Sequence, residues 1–339
     1  MHRLRFRRLA VSRPTLRLLN SLAWGYLAGA ILYAALLWLS GDSWWVATVL
    51  LFTPRWPMLL PAPLLALTVL PVRPRLLLPV ALGVLVILGP GMGYRLGVLG
   101  WFTRSTVPAL RLITFNVDAG ENPRVLALSL GLQPYRPDVV ALQECNAETA
   151  NPEFWPAGWT VRFDDGICLA GRFAVLEARA FEPGRTGDQR ATGTAMFYRL
   201  KTDSGPIDLG VLHLETPPKG LAQLRTSAGV SAMERNVLVR EVGSRLLRRW
   251  FAEQSDALII AGDFNMPVES TIYRSNWGSC GNAFSRVGFG FGSTRIMPNY
   301  SIRIDHILTC KGWRPLRALI GPDLGSDHRP LIVDLTRTR

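Results

Sequence analysis

Residues 258–265 read Leu-Ile-Ile-Ala-Gly-Asp-Phe-Asn. A short apolar run that stops at a glycine and then at an acid and an amide has the pattern of a strand feeding a polar turn. Similar runs recur outward in both directions: Leu110 to Phe115, Val139 to Leu142, Ile167 to Ala170, Thr194 to Leu200, Ile207 to Leu214, Ala257 to Ala261, Ile304 to Leu308 and Pro330 to Leu335. Two stretches have helical character instead, Pro123 to Leu132 and Gln223 to Phe251, the second mixing Val237, Val242, Leu246 and Trp250 with Arg235, Arg240 and Arg245. Strands outnumber helices, and from residue 109 onward the chain suits one α/β domain of layered sheet with helices outside.

The first third of the chain is different. Its 339 residues carry a net charge of +13, but residues 1–111 hold twelve arginines and one acid, Asp42, while residues 112–339 hold 26 basic and 24 acidic residues. The excess is therefore N-terminal, and the near-neutral remainder argues against a nucleic-acid partner held by bulk charge. Between Arg17 and Asp42 lie 24 uncharged residues, enough to cross a hydrocarbon core. Trp44 to Val72 reads as a second span interrupted at Pro54-Arg55-Trp56-Pro57, and Leu76 to Tyr94 as a third. Six arginines precede the first span and Arg73 and Arg75 separate the second from the third, whereas Gly41 to Ser43 has no basic residue. The positive-inside rule then gives a basic cytoplasmic segment 1–17, a transmembrane region 18–94, a linker 95–108 and an extracytoplasmic domain 109–336 in the cell membrane. A cleaved signal peptide is the rival, disfavoured by the two apolar segments that follow. Cys145, Cys168, Cys280 and Cys310 all fall in the outer domain, where three full pairings or four free thiols are open.

Six apolar runs end in an acid, an amide or an imidazole: Asn116 and Asp118, Gln143 and Glu144, His213, Asp263 and Asn265, Asp305 and His306, Asp327 and His328. Each alone has a plain reading as a turn or a hydrogen-bonded strand end. Asn116/Asp118 and Asp263/Asn265 are two apart, so in extended backbone each pair faces one way. Glu144, Asp118 and Asp327 offer hard oxygen ligands, with amide help from Asn116. That set suits Mg²⁺ or Mn²⁺, and no thiolate or multi-histidine zinc set accompanies it.

Taken in order, these residues resemble the endonuclease/exonuclease/phosphatase superfamily of metal-dependent phosphoesterases. The carriers are Thr-Phe-Asn-Val-Asp at 114–118, Asp-Val-Val-Ala-Leu-Gln-Glu at 138–144, Leu-His-Leu at 212–214, Gly-Asp-Phe-Asn at 262–265, Arg-Ile-Asp-His-Ile-Leu at 303–308 and Gly-Ser-Asp-His-Arg-Pro-Leu at 325–331. The preceding spans make the chain similar to a membrane-anchored bacterial branch linked with vancomycin and teicoplanin resistance. The resemblance implies a four-layered α/β sandwich of the DNase type after about three transmembrane helices. It implies Glu144 as main metal ligand, with Asn116, Asp118 and Asp327 around it, and His328 and Asp305 as a dyad. Asp263 would orient or deprotonate the attacking water, Asn265 would donate to the phosphate, and His213 would contact phosphate or the leaving oxygen. Arg190 is a candidate phosphate contact. Gly171 and Ala174 stand where many members carry Ser and Pro, and the loops between Asn146 and His213 bear no lysine cluster for gripping a duplex.

The leading expectation is an Mg²⁺-dependent phosphoric ester hydrolase acting near the outer membrane surface, on a lipid or lipid-linked phosphate. A membrane-bound nuclease and a non-catalytic resistance or binding protein are the alternatives. The near-neutral charge opposes the first, and the complete polar set from Asn116 to His328 opposes the second.

Overall fold

The computed structural model describes residues 10–98, 100, 107–119, 125–182, 192–217 and 229–338. The chain divides into two compact units, Met1–Tyr94 and Arg95–Arg339.

The first unit leaves many large apolar side chains exposed. Its helices Arg13–Ser40, Trp45–Phe52, Pro61–Val69 and Leu77–Val86 bury small residues, Ala23, Ala30, Ala34 and Ala62, while Leu32, Leu39, Leu64, Leu67 and Leu85 stand exposed. Small residues let apolar helices approach closely, and exposed leucine is tolerable where the surroundings are hydrocarbon. A side chain at Gly83 would meet the Tyr26 ring at 2.7 Å. The helical segments Arg13–Ser43 and Pro74–Gly91 are long and apolar enough to cross a membrane, and the pair Trp45–Phe52 and Trp56–Val69, bent by 85°, makes a third if counted as one broken span. Arg55 sits at that break and donates to the carbonyls of Leu51 (2.7 Å) and Gly91 (3.1 Å), so the one charge in the stretch meets backbone acceptors.

The second unit contains β1 (Arg95–Leu96), β2 (Leu110–Asn116), β3 (Val139–Gln143), β4 (Thr160–Asp164), β5 (Ile167–Gly171), β6 (Val175–Ala180), β7 (Thr194–Leu200), β8 (Ile207–His213), β9 (Leu258–Asp263), β10 (Gly281–Asn282), β11 (Phe289–Gly290), β12 (Arg295–Met297), β13 (Tyr300–Ile302), β14 (Asp305–Thr309), β15 (Trp313–Ile320) and β16 (Leu331–Arg337). Two mixed sheets form, in the orders β15-β16-β2-β3-β5-β4 and β10-β14-β9-β8-β7-β6. One face of each meets in a common core: Leu112, Val139, Ala141 and Val333 from the first sheet, Tyr198, Val211, Ile259 and Ile307 from the second. The alternate residues point away. Ile113, Phe115, Val140 and Leu142 pack with Leu128 and Leu132 of the helix Val125–Leu132. Phe197, Leu212 and Ile260 pack with Leu247 and Phe251 of the helix Gly229–Gln254. The result is helix, sheet, sheet, helix: the four-layered α/β sandwich that the sequence implies.

All eight strands read from the sequence are present within two residues of their expected ends, and both helices are present over their described parts. The segment 95–108 is not wholly a linker, since Arg95–Leu96 pairs with Phe289–Gly290. The four cysteines, left open by the sequence, form two disulfides, Cys145–Cys168 and Cys280–Cys310.

Candidate active site

The pairing pattern explains why six polar strand ends meet. β2 runs parallel to β3, and β8 parallel to β9, so the C-terminal ends of all four lie at one end of the sandwich. β16 and β14 run antiparallel to β2 and β9 and so begin there. Register aligns the residues: Asp305 and His213 both face Asp263 across the second sheet, and Asn116 faces Gln143 across the first. Gly262 makes the close approach possible, for at φ +147° an added Cβ would lie 1.9 Å from the Leu212 carbonyl oxygen.

The Asn116/Asp118 and Asp263/Asn265 pairs are not extended as the spacing suggests. Asp118 (φ 47°) and Asn265 (φ 51°) are left-handed. The Asp118 N–H donates to Asn116 Oδ1 (3.1 Å), and the Asn265 N–H donates to Asp263 Oδ1 (2.8 Å). Each pair thus closes as a side-chain-to-backbone turn, the conformation Asn and Asp accept most readily. Glu144 is left-handed too, at φ 52°. Strained backbone at three site residues is the kind of outlier that gathers where geometry serves function.

Asn116 ties the two sheets together: its amide nitrogen donates to Glu144 Oε1 (2.8 Å) and to Asp263 Oδ2 (3.1 Å). His213 Nε2 lies 3.4 Å from Glu144 Oε1 and 3.8 Å from Asp263 Oδ2. His328 Nδ1 is 2.8 Å from Asp305 Oδ2, while its Nε2 points toward Asp263 Oδ2 at 3.8 Å and Asp327 Oδ1 at 3.7 Å. Asp263, Asp305 and His328 are essentially sealed from solvent, whereas the side chains of Glu144 and Asp327 are 43% and 42% exposed and form the mouth. Asn265 is buried and its amide nitrogen donates to the Leu214 carbonyl (2.8 Å), so part of its donor capacity is committed within the protein. Arg190 lies outside the described residues.

Burial and charge pull the site apart electrostatically. Burial raises the Asp263 pKa, and the Asp305 carboxylate raises it further. Burial alone would lower the pKa of His328, but the carboxylates of Asp305, Asp263 and Asp327 outweigh it and push the value up to about 9. The site therefore holds a cationic imidazole above a crowded set of acids.

Among the described residues, two groups of side chains bring ligand atoms within 4.8 Å of one another: Glu144, His213 and Asp263, and Asp263, Asp305 and His328. Asp305 Oδ1 is buried with no hydrogen-bond partner among the described residues. The half-exposed Glu144 carboxylate beside the buried carboxylates of Asp263 and Asp305 fits a divalent cation. Asp118 and Asp327, expected as ligands, belong to neither group. Asp327 instead pairs with Arg295 at 2.9 Å.

Three residues that the sequence did not single out, and His306, which it named only as a strand end, shape the site. Thr294 Oγ1 accepts from the N–H groups of Ile304 and Asp305 (3.1 Å each) and so fixes the start of β14. Ser326 Oγ donates to the Asn116 carbonyl (2.8 Å) and accepts from the His328 N–H (3.0 Å), which joins the two strand ends. Arg295 forms a bridge pair with His328. His306 is fully buried between the Met266 carbonyl (2.8 Å) and Asn282 (3.1 Å), behind the Asp263–Asn265 turn. Thr294 and Arg295 follow an alternating glycine-phenylalanine stretch, residues 288–292, with no continuous apolar run, so no signal marks them.

The profile of the Endonuclease/Exonuclease/phosphatase family matches residues 113–328, which takes in the whole constellation from β2 to His328. The chain belongs to that family. Solved structures of family type share the fold of the second unit. D. rerio TDP2 carrying 14 humanising mutations aligns at 19% identity and a TM-score of 0.51, covering 67% of this chain and 98% of its own. The Bacteroides thetaiotaomicron mannosyl-6-phosphatase Bt3783 aligns at 17% identity and 0.50, covering 67% and 100%. A Bacteroides vulgatus endonuclease/exonuclease/phosphatase aligns at 17% and 0.50, covering 68% and 99%. No curated protein sequence matches at comparable stringency. Family members hydrolyse phosphate-containing substrates, phosphosugars and nucleic acids among them, and this member is a hydrolase on that ground.

Proposed function

We propose that the protein is a membrane-anchored phosphoesterase that uses Mg²⁺ or Mn²⁺, with its catalytic unit on the outer side of the cytoplasmic membrane, cutting a lipid or lipid-linked phosphate. The observation that carries the reading is the convergence of Glu144, Asp263, His213 and the Asp305–His328 pair on one end of the sandwich. Two disulfides suit an oxidising compartment, and the arginines before the first and third apolar segments suit a cytoplasmic N-terminus. The apolar N-terminal helices support kinship with the membrane-anchored branch.

Glu144, with Asn116, Asp118 and Asp327 nearby, would hold the cation, which supplies charge compensation on phosphate oxygens. The remaining work belongs to the side chains. Asp263, whose raised pKa makes it a better proton acceptor than an ordinary aspartate, takes the proton of the attacking water. His328, kept cationic and aimed by Asp305, stabilises negative charge that develops on the phosphoryl oxygens. His213, facing both Glu144 and Asp263 from a half-buried position, reaches the leaving oxygen.

The test is a substrate panel on the full-length protein in nanodiscs: phospholipids, polyprenyl phosphates, sugar phosphates and plasmid DNA, with and without Mg²⁺. Cation-dependent cleavage of a lipid or polyprenyl phosphate supports the reading. Faster turnover of plasmid than of every lipid phosphate would replace it with the nuclease reading.

A further inference from the structure

One side of the outer unit presents apolar side chains to solvent along a line that ends beside the site. Leu96 and Phe289 are cross-strand partners in the β1–β11 ribbon and are 62% and 65% exposed. Val98, Phe291 and Ile296 continue the exposed set. Their order along the molecule follows from pairing. Gly288 bridges Ala318 near the catalytic end of the edge strand β15, two residues before Ile320, and Arg295 bridges His328 at that same end, so the chain between them lies along that side next to the site. In β12 the alternation splits roles: Arg295 turns to Asp327, while Ile296 stands outward, its own N–H bonded to the Asp327 carbonyl (2.8 Å).

An exposed run of aromatic and aliphatic side chains of this size calls for an apolar partner. The sequence limits which one. Leu96 is five residues beyond Gly91, the end of a helical segment long and apolar enough to cross a membrane. Five residues reach at most about 18 Å, so a bilayer that held that segment would always be within reach of this side of the unit. Arg95 and Arg295 adjoin the run in sequence, Arg295 held in its ion pair with Asp327. Aromatic and aliphatic side chains beside arginine are the composition that rests at a bilayer interface.

We infer that Leu96, Val98, Phe289, Phe291 and Ile296 form a surface that seats in the head-group region of a lipid bilayer. The hairpin β12–β13 then sets the catalytic end at head-group height, and the substrate class is a phosphate ester anchored in that same bilayer. The substrate clause rests on the phosphoesterase reading; the seating does not.

The experiment uses the full chain in nanodiscs with a single labelled cysteine, Phe289→Cys or Ile296→Cys, carrying an environment-sensitive fluorophore. Leu176→Cys is the control, being 58% exposed on the opposite edge strand, β6. Spin-labelled phospholipid should quench the first two labels several-fold more than the third. Equal quenching at all three, or emission that changes only with protein concentration as a second copy would cause, overturns the seating. A second arm compares Phe289→Ser/Ile296→Ser with wild type on a bilayer-embedded phospholipid and on a soluble aryl phosphate. The expected result is a rise of about tenfold or more in KM for the embedded ester, with kcat and the soluble reaction unchanged. An equal loss on both esters, or none on either, overturns the substrate class. A wild type that cleaves neither ester sinks the phosphoesterase reading, and the quenching pattern still decides the seating.

Discussion

Asp305→Asn preserves the shape of a wholly buried side chain 2.8 Å from His328 Nδ1 and removes its charge. Burial by itself would draw the imidazole below its ordinary 6.5, and Asp305 is foremost among the carboxylates that bring it to about 9. Without that charge the imidazole titrates lower, toward its ordinary 6.5, with Asp263 and Asp327 still raising it. At pH 8 a group of pKa about 9 is roughly 90% protonated and one at the ordinary 6.5 only about 3%, so complete loss of the shift would lower turnover about 30-fold through charge alone. Lost orientation adds to this, for a total of about 10²–10³ at pH 8. At pH 6 the two protonated fractions differ by only about 1.3-fold, and the variant's deficit should shrink to the orientation part. Stability follows the same sign. A folded pKa raised above the unfolded one contributes stability that is full below about 6.5 and lost as pH climbs through about 9, roughly 3 kcal/mol in all. The assay is kcat against pH for wild type, Asp305→Asn, His328→Ala and the double variant on a soluble aryl phosphate. An equal deficit at pH 6 and pH 8, or additive losses in the double variant, would refute a charged dyad.

Glu144→Gln should abolish the metal stimulation of turnover yet leave the metal-free melting temperature unchanged or slightly higher, because it removes one charge from a crowd of acids; a full response to millimolar Mg²⁺ would remove Glu144 from the ligand set. Burial, followed by the Arg303 charge, lowers His306 to about 3. The unfolded chain therefore binds a proton there that the folded chain refuses, and stability should fall below pH 6.5 by about 1.4 kcal/mol per pH unit; melts of His306→Gln between pH 5 and pH 7 should lack that slope, and an unchanged slope would assign it elsewhere. Cys145 adjoins Glu144 and is bonded to Cys168, so Cys145→Ser/Cys168→Ser should cost about 2–4 kcal/mol and raise the Mg²⁺ concentration for half-maximal activity; destabilisation with an unaltered Mg²⁺ requirement would make the bridge a brace for the fold alone.

Central strands were legible in the sequence and edges were not, for a physical reason. β2, β3, β8 and β9 are covered on both faces, so Leu112-Ile113 and Leu258-Ile259-Ile260 read as unbroken apolar runs. β4, β6 and β15, which escaped the reading, are all at sheet edges. Edge strands carry charge, proline and irregularity: Arg162 and Asp164 in β4, Glu177 and Arg179 in β6, and a register shift between Pro315 and Arg317 in β15. At the site, residues at strand ends were legible because a polar group after an apolar run stands out. Thr294, Arg295 and Ser326 act through backbone groups and ion pairs between segments far apart in sequence, and only the folded chain brings those together. The turned conformations of Asp118 and Asn265 were likewise hidden, because a spacing of two residues does not distinguish an extended pair from a closed turn.

The central claim is that this strand-end constellation is a cation-dependent phosphoester hydrolytic site, and the most direct test of it is a turnover comparison. Full-length wild type and Asp263→Asn, matched by melting profile, are assayed with a soluble aryl phosphodiester and monoester across a Mg²⁺ titration. The account expects Mg²⁺-dependent release of the aryl alcohol by wild type and a loss of about 10³ or more in Asp263→Asn, the group facing Asn116, His213, Asp305 and His328 at once. Turnover in Asp263→Asn within a few-fold of wild type, or wild-type turnover indifferent to Mg²⁺, would contradict it.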